Sequence, residues 1–599
     1  MSDRTGGQEW WQDPEQLGRF EKRLSATALS RRAVLGIVGA FASGAAVIAC
    51  GGASKDRTPA SSGGSGSAPS TGASQPATGE KLAKTQVYRR PLRDEPATWD
   101  YNFNLYAMAS NYVSAGLLKY DADNKVVPDL AESVTVNDKG DVYTFKIRKD
   151  TKWSNGDPVK AQDFVYSWSR RLDPTSGADY AAFLYDIKNA EEFNTKKIAD
   201  KGQLGLKAID DATLEVTLGG PAGYFPALVA YQAAVPVHPA TAEKFKEKTG
   251  TDADKFVSSG PFKLVKWEHN KVAEITKNEG YWNAKNIKLE KVVFPIIKKE
   301  QWHVAYENNE IDDIQEGSIG ELKRLTGDPK LSKEIIKYDQ FGSWYLMPNP
   351  RFKPFDNIKV RQAMAHAVDR DKLVKDVLGG MGAPAYTQMN PGTPQYNPNK
   401  YDQYTKFDPK VAMDLLKGTE YEGGKNWPKI TMSMRNNETD AHKAAMQAII
   451  QMYKEHLGMT IDSEVGDPQV IYREMRQGNK QLMWLRWYLD YPDANNAHGD
   501  CFYSKIPVGS RRSWWENDEF DKLVLAGRSE PNQEKRKQIY AQADEILVRE
   551  AAAVFVYYPL AFTMRKPTVR GFAKNKEGAV VPDWNIFQRE LDGIYLIEV

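Results

Sequence analysis

The sequence predicts a mixed α/β protein of several discontinuous domains, in which the chain crosses between lobes. Three observations carry that prediction. At 599 residues the chain is too long for a single hydrophobic core. Strand-like alternation and helical periodicity interchange along the whole body without a clean division into halves. No self-similarity appears at the periods of solenoids or propellers.

The elements follow in order. Gly140 to Leu172 opens with an alternating strand carrying Tyr143, Phe145 and Ile147. A turn at Ser154-Asn155-Gly156 comes next, then a helix from Ala161 to Leu172 with Phe164, Val165 and Trp168 on one face. Leu206 to Leu218 reads as a hairpin turning at Asp210-Asp211, and Ser258 to Trp282 supplies two more strands. Helical patterns cover Lys359 to Leu378, Asp408 to Leu416, Glu438 to Leu457 and Pro531 to Arg549. Met483 to Asp493, MWLRWYLDYPD, begins as an apolar and aromatic run typical of a strand buried on both faces. It ends in a turn, Asp490-Tyr491-Pro492-Asp493. A carboxylate just past the carboxyl end of a buried strand lies where open α/β sheets place their ligands, so Asp490 is a candidate anchor for a cationic group. By itself it reads equally well as a turn or helix cap.

Composition narrows the function. Apolar residues make up 41% and charged residues 27%, ordinary for a globular protein. The 81 basic and 79 acidic residues nearly cancel to +2, and no run of Lys and Arg tracks a phosphate backbone, which excludes nucleic acid as a partner. With two cysteines, Cys50 and Cys501, there is no disulfide framework. The globular body lacks GxSxG, HExxH, P-loop and CxxC motifs, and its histidines (238, 269, 303, 366, 442, 456 and 498) have no close metal-ligand spacing. No enzyme chemistry, cofactor or metal is expected from these residues. Asp490 and Asp493 make a negligible case for a pair of catalytic carboxylates, and Cys501 reads as a structural thiol.

The N-terminus reads as a leader over residues 1–49. Twin Arg31 and Arg32 precede an apolar run, Ala33 to Ala49, which is short for a membrane span and suited to a signal core. The run ends VIAC at Cys50, which resembles a lipobox whose cysteine carries lipid; the arginine pair resembles a Tat signal. Residues 50–83 form a tether: 25 of residues 51–80 are Gly, Ala, Ser, Thr or Pro, too little apolar surface to offset the entropy of ordering. Its r.m.s. span is about 30 Å.

Several segments carry a specific resemblance. They are Thr144 to Trp168, Gly205 to Leu218, Ser258 to Trp267, Asn278 to Trp282, Pro354 to Val374 and Trp487 to Asp493. In this order the chain, from about Trp99 to its end, resembles the extracytoplasmic peptide-binding proteins of ABC importers, solute-binding protein family 5. The resemblance implies a two-lobed periplasmic-binding-protein fold that closes as a hinged trap, with discontinuous mixed-sheet lobes. The first lobe would comprise 84–116, 238–341 and 563–599 with an inserted subdomain at 117–237, and the second 342–562. It implies a monomeric, lipid-anchored or periplasmic protein that captures peptides and delivers them to an import permease and its ATPase. The same fold in other hands holds an amine-bearing solute, a sugar or a metal chelate.

The resemblance also implies roles for residues. Asp490 would ion-pair with the peptide's free α-amino group. Trp487 and Tyr488 would dock its main chain, and Gly342, Ser343 and Trp344 match the facing segment. His442 would meet the carboxyl end. The plain alternative for the strand residues is sheet core. The chain departs from the family where an arginine is replaced by Trp484, a glycine by Arg486, a lysine by Leu378 and an aromatic platform by Pro468. Arg486 lies two positions from Trp484 and shares its face of the strand, so both stay candidate ligand contacts.

Overall fold

The computed structural model describes residues 79–103, 109–178, 181–505, 512–575, 578–581 and 590–598. The expected leader, Arg31, Arg32, Cys50 and most of the tether lie outside them. Among the described residues no helix is long and apolar enough to cross a membrane.

The first lobe is built on a mixed sheet in the order Val87–Arg89, Lys291–Pro295, Val272–Lys277 and Phe262–Glu268. The first pairing is parallel and the others antiparallel. Alternation sets the faces: Val292 and Phe294 are buried while their neighbours are half-buried, as period-two side chains on a one-sided sheet require. An antiparallel sheet of Ala131–Val136, Val142–Ile147, Thr213–Thr217 and Leu206–Asp210 forms the core of the inserted subdomain. The helix Ala161–Leu172 covers it with Phe164 and Trp168 buried; Val165, expected on the same face, is only half-buried.

The second lobe is organised on a larger sheet that contains, in order, the strands Val554–Arg565, Gly342–Pro348, Leu482–Tyr488, Ile430–Arg435 and Ile461–Gly466. Two segments carry the chain between lobes. Ile335–Asp339 pairs with Leu560 to Met564, and after the two residues Gln340 and Phe341 the strand Gly342–Pro348 pairs with Val554 to Tyr557 of the same long strand. Val554–Arg565 therefore belongs to both lobes, and the expected boundary at 562/563 falls inside it. Pro559 stands at the crossing, where an N–H is dispensable; its carbonyl accepts from Gln340 N at 3.0 Å.

The helix expected over Lys359 to Leu378 is broken. It runs Ile358–His366, and a new turn starts at Arg370, where Asp369 accepts from Lys372 N at 2.9 Å. The break aims the buried Arg370 guanidinium at the carbonyls of Phe555 (2.8 Å) and Thr405 (2.8 Å). The other helical expectations hold with sharper starts: Asp408, Thr439 and Asn532 are N-caps of Pro409–Leu415, Asp440–Leu457 and Gln533–Arg549.

The subdomain touches the second lobe close to Asp490. Tyr491 is buried against Tyr224 (centroids 6.3 Å) and Phe183 (6.2 Å). Tyr224 Oη donates to Asp186 Oδ2 at 2.6 Å, and Arg528 Nη2 lies 2.9 Å from Asp186 Oδ1.

Candidate functional site

The site grows from the strand Leu482–Tyr488. Met483, Leu485 and Trp487 pack into one apolar cluster and Leu482 and Trp484 into another, so both faces are buried, as its composition requires. Its two edges differ. One pairs antiparallel with Gly342–Pro348 along its whole length. The other pairs with Ile430–Arg435 only at Leu482 and Met483, so beyond Met483 this edge has no strand partner among the described residues.

Asp490 sits two residues past the strand, half-buried. Asn496, brought back by the turn Asn495–Gly499, fixes this corner. Its Oδ1 accepts from Asp490 N (2.9 Å) and from Trp487 Nε1 (3.0 Å). Its Nδ2 donates to Asp500 Oδ2 (2.9 Å) and, more weakly, to Asp490 Oδ2 (3.4 Å). Asp500 is buried, and burial first, then the Asp490 charge, pushes its carboxyl well above the usual range. Two carboxyl groups thus share one amide. Asp493 is committed elsewhere: it forms a buried ion pair with Arg536, Oδ1 to Nη2 at 2.6 Å.

The remaining candidates divide. Gly342 pairs with Tyr488, Ser343 with Trp487 and Trp344 with Arg486, so the supposed facing segment is the neighbouring strand of the same sheet and not an opposing wall. Gly342 is needed there, because a Cβ would come within 2.5 Å of the Tyr488 ring. Trp344 and Trp484 are 0% and 1% exposed, packed on each other at 5.1 Å and on Tyr557. With no free surface, the two rings serve as core here. Ser343 is likewise buried and its hydroxyl donates to Gln388 Oε1 at 3.0 Å. Trp487, almost as buried, offers only its main chain and anchors Asn496.

Arg486 does share the face of Trp484, and its guanidinium carbon lies 4.8 Å from the Tyr488 ring centroid. Arg486 Nε lies 3.2 Å from both oxygens of Glu438, a residue assigned to a helix by periodicity but standing just before its Thr439 cap. Arg435 pairs with the same carboxylate, and His442 Nδ1 is 3.5 Å away. The His442 ring lies on Trp344 at 4.1 Å, and burial lowers its pKa, favouring the neutral form. Nothing in the sequence near Glu438 announces Arg486, 48 positions later. Glu438 and Arg435 were missed for the same reason, and Asn496 and Asp500 because no local pattern marks them.

Burial raises the Glu438 pKa, but the nearby His442 ring and the Arg486 and Arg435 charges outweigh it and hold the carboxylate at about 2, against an ordinary 4.5. A depressed carboxylate stabilises the fold above its unfolded pKa and loses that contribution as pH falls through the folded value. Stability from this cluster is therefore expected to be constant above about pH 5 and to drain away toward pH 2. Glu438→Gln should flatten that part of the stability–pH curve, measured by urea unfolding; an unchanged acid limb would refute the assignment.

The profile of "Bacterial extracellular solute-binding proteins, family 5 Middle" matches residues 125–505. The oligopeptide-binding protein OppA of Bacillus subtilis is 32% identical over 457 residues, 74% of this chain and 81% of that protein. The dipeptide-binding protein DppE of Bacillus subtilis is 30% identical over 519 residues, 84% of this chain and 92% of the relative. Among solved structures, the unliganded open form of the periplasmic murein tripeptide binding protein MppA superposes with a TM-score of 0.78 at 24% identity, over 87% of this chain and 99% of that one. Haemophilus influenzae OppA in complex with the peptide RPPGFSPFR gives 0.63 at 24% identity, over 86% and 100%. Both show the same two-lobed fold.

Proposed function

Because the chain belongs to the bacterial extracellular solute-binding proteins of family 5, we propose that it captures peptides between its lobes and hands them to an ABC import permease and its ATPase. One observation carries the reading: Asp490, with Asp500 behind it, stands at the end of a strand whose adjoining edge, beyond Met483, has no strand partner among the described residues. An extended peptide added to that edge gains main-chain hydrogen bonds irrespective of its sequence, and its α-amino group meets the Asp490 carboxylate. The relatives named for oligopeptides and dipeptides support the peptide class. Closure follows from a ligand that touches both lobes and so favours the closed population. The Arg31-Arg32 leader, Cys50 and the small-residue tether support a lipid-anchored protein on the outer face of the membrane.

Mass spectrometry of ligand carried through purification tests the reading. Recovered peptides of mixed sequence and intact length are the expected result, since a binding protein does not cleave its cargo. A single non-peptide solute, or shortening of added peptides on incubation, would overturn it.

A further inference from the structure

The strand pair that carries the chain between lobes borders a pocket of about 160 Å³. Lys337 and Asp339, on the strand Ile335–Asp339, line it together with Phe341 just beyond and Leu560 on the partner strand. Pro391 and Gly392 of the second lobe form another wall. Asn124, at the turn between Leu118–Tyr120 and Val126–Pro128 of the subdomain, also lines the pocket, and its Nδ2 donates to Gly392 O at 2.8 Å. The walls therefore come from both lobes.

Gln340, between Asp339 and Phe341, faces the other way: its Oε1 accepts from Tyr488 Oη at 3.2 Å. Successive side chains of extended backbone point to opposite faces, so the pocket lies across the crossing from the strand Leu482–Tyr488. Neither Asp490 nor Trp487 lines it.

The lining selects a ligand. Phe341, Leu560, Pro391 and Val581 are apolar. Lys337 and Asp339 stand exposed at the mouth, on one face of their strand and about 7 Å apart along it. Among the described residues neither side chain has an ion pair or hydrogen bond. Opposite charges side by side match a zwitterion, which carries its ammonium and carboxylate on one carbon. A cavity of about 150 Å³ takes a molecule the size of benzene, so the space here suits a single aliphatic side chain.

We propose that this pocket binds a free apolar amino acid, with its side chain against Phe341, Leu560 and Val581, its ammonium on Asp339 and its carboxylate on Lys337. The site is separate from the one at Asp490 and does not depend on the peptide reading. Because its walls belong to both lobes, an occupied pocket favours the lobe angle that fits it, which couples the amino acid to closure.

Calorimetry on the full chain with leucine, leucinamide and isocaproate tests the site. Leucine should bind once per chain, and the other two, each lacking one charge, at least about threefold more weakly, the scale of exposed ion pairs. Asp339→Asn and Lys337→Met should each weaken leucine binding by a similar factor; both residues are exposed, so the urea midpoints should match the wild type. Asp490→Ala should leave leucine binding unchanged. Leucine and a peptide that binds the wild type should alter each other's affinity by one common factor. Leucine binding that is lost with Asp490→Ala and kept with Asp339→Asn would put the amino acid in the other site and overturn the proposal. Equal affinity of the three ligands, or no binding of leucine, would overturn it as well. Leucine and peptide that bind independently would overturn the coupling to closure, and absence of peptide binding would sink the peptide reading while the leucine results stand.

Discussion

Replacing Asp490 by alanine is expected to weaken binding of a free-amine peptide by at least about tenfold, or about 1.4 kcal/mol, measured by calorimetry. The same peptide acetylated at its amino end should bind the wild type weakly and lose little more with Asp490→Ala, because its cation is already gone. The cycle of two proteins and two peptides isolates the ammonium–carboxylate term from general damage to the corner. Equal losses for both peptides would show that the Asp490 carboxylate acts only through its contact with Asn496 Nδ2. Asp500→Asn is the companion variant. With its carboxyl pushed well up by burial, Asp500 adds less charge, and its loss should cost less than that of Asp490.

The second large effect is on stability. Asp493→Ala strands the Arg536 guanidinium, fully buried and held otherwise by Gly527 O at 2.7 Å. Removing one partner of a buried ion pair costs about 3–5 kcal/mol, because the remaining charge is left without compensation. The urea midpoint of the second lobe should fall accordingly. Asp493 is three residues from Asp490, so ligand affinity should fall as well. A midpoint within experimental error of the wild type would rule out this pair as the lock on the ligand corner.

Much of this was legible in the sequence, and for local reasons. Period-two alternation found the Val142–Ile147 strand and the Leu206 to Leu218 hairpin, since one-sided burial writes itself into neighbouring residues. The apolar run ending in a turn placed Asp490 past the end of a buried strand. Chain-distant choices were not legible. An aromatic residue at Trp344 or Trp484 reads alike as a ligand platform or as core, and only packing against Tyr557 decides. The break after His366 depends on carbonyls supplied by Thr405 and Phe555, which no window around residue 367 contains. The helix Asp518–Ser529 was overlooked although its Asn517 cap and acidic first turn were in view, because its apolar stripe is short.

The long strand Val554–Arg565 has a mechanical consequence. Its ladder to the first lobe and its ladder to the second are registered on one continuous backbone, so sliding the lobes past each other would shear both sets of hydrogen bonds at once. Rotation about the Pro559 crossing and the nearby Gln340–Phe341 link changes a handful of torsions and leaves the ladders intact. Rotation is therefore the softer of the two motions. A contact made at Asp490 acts with the lever arm of a whole lobe.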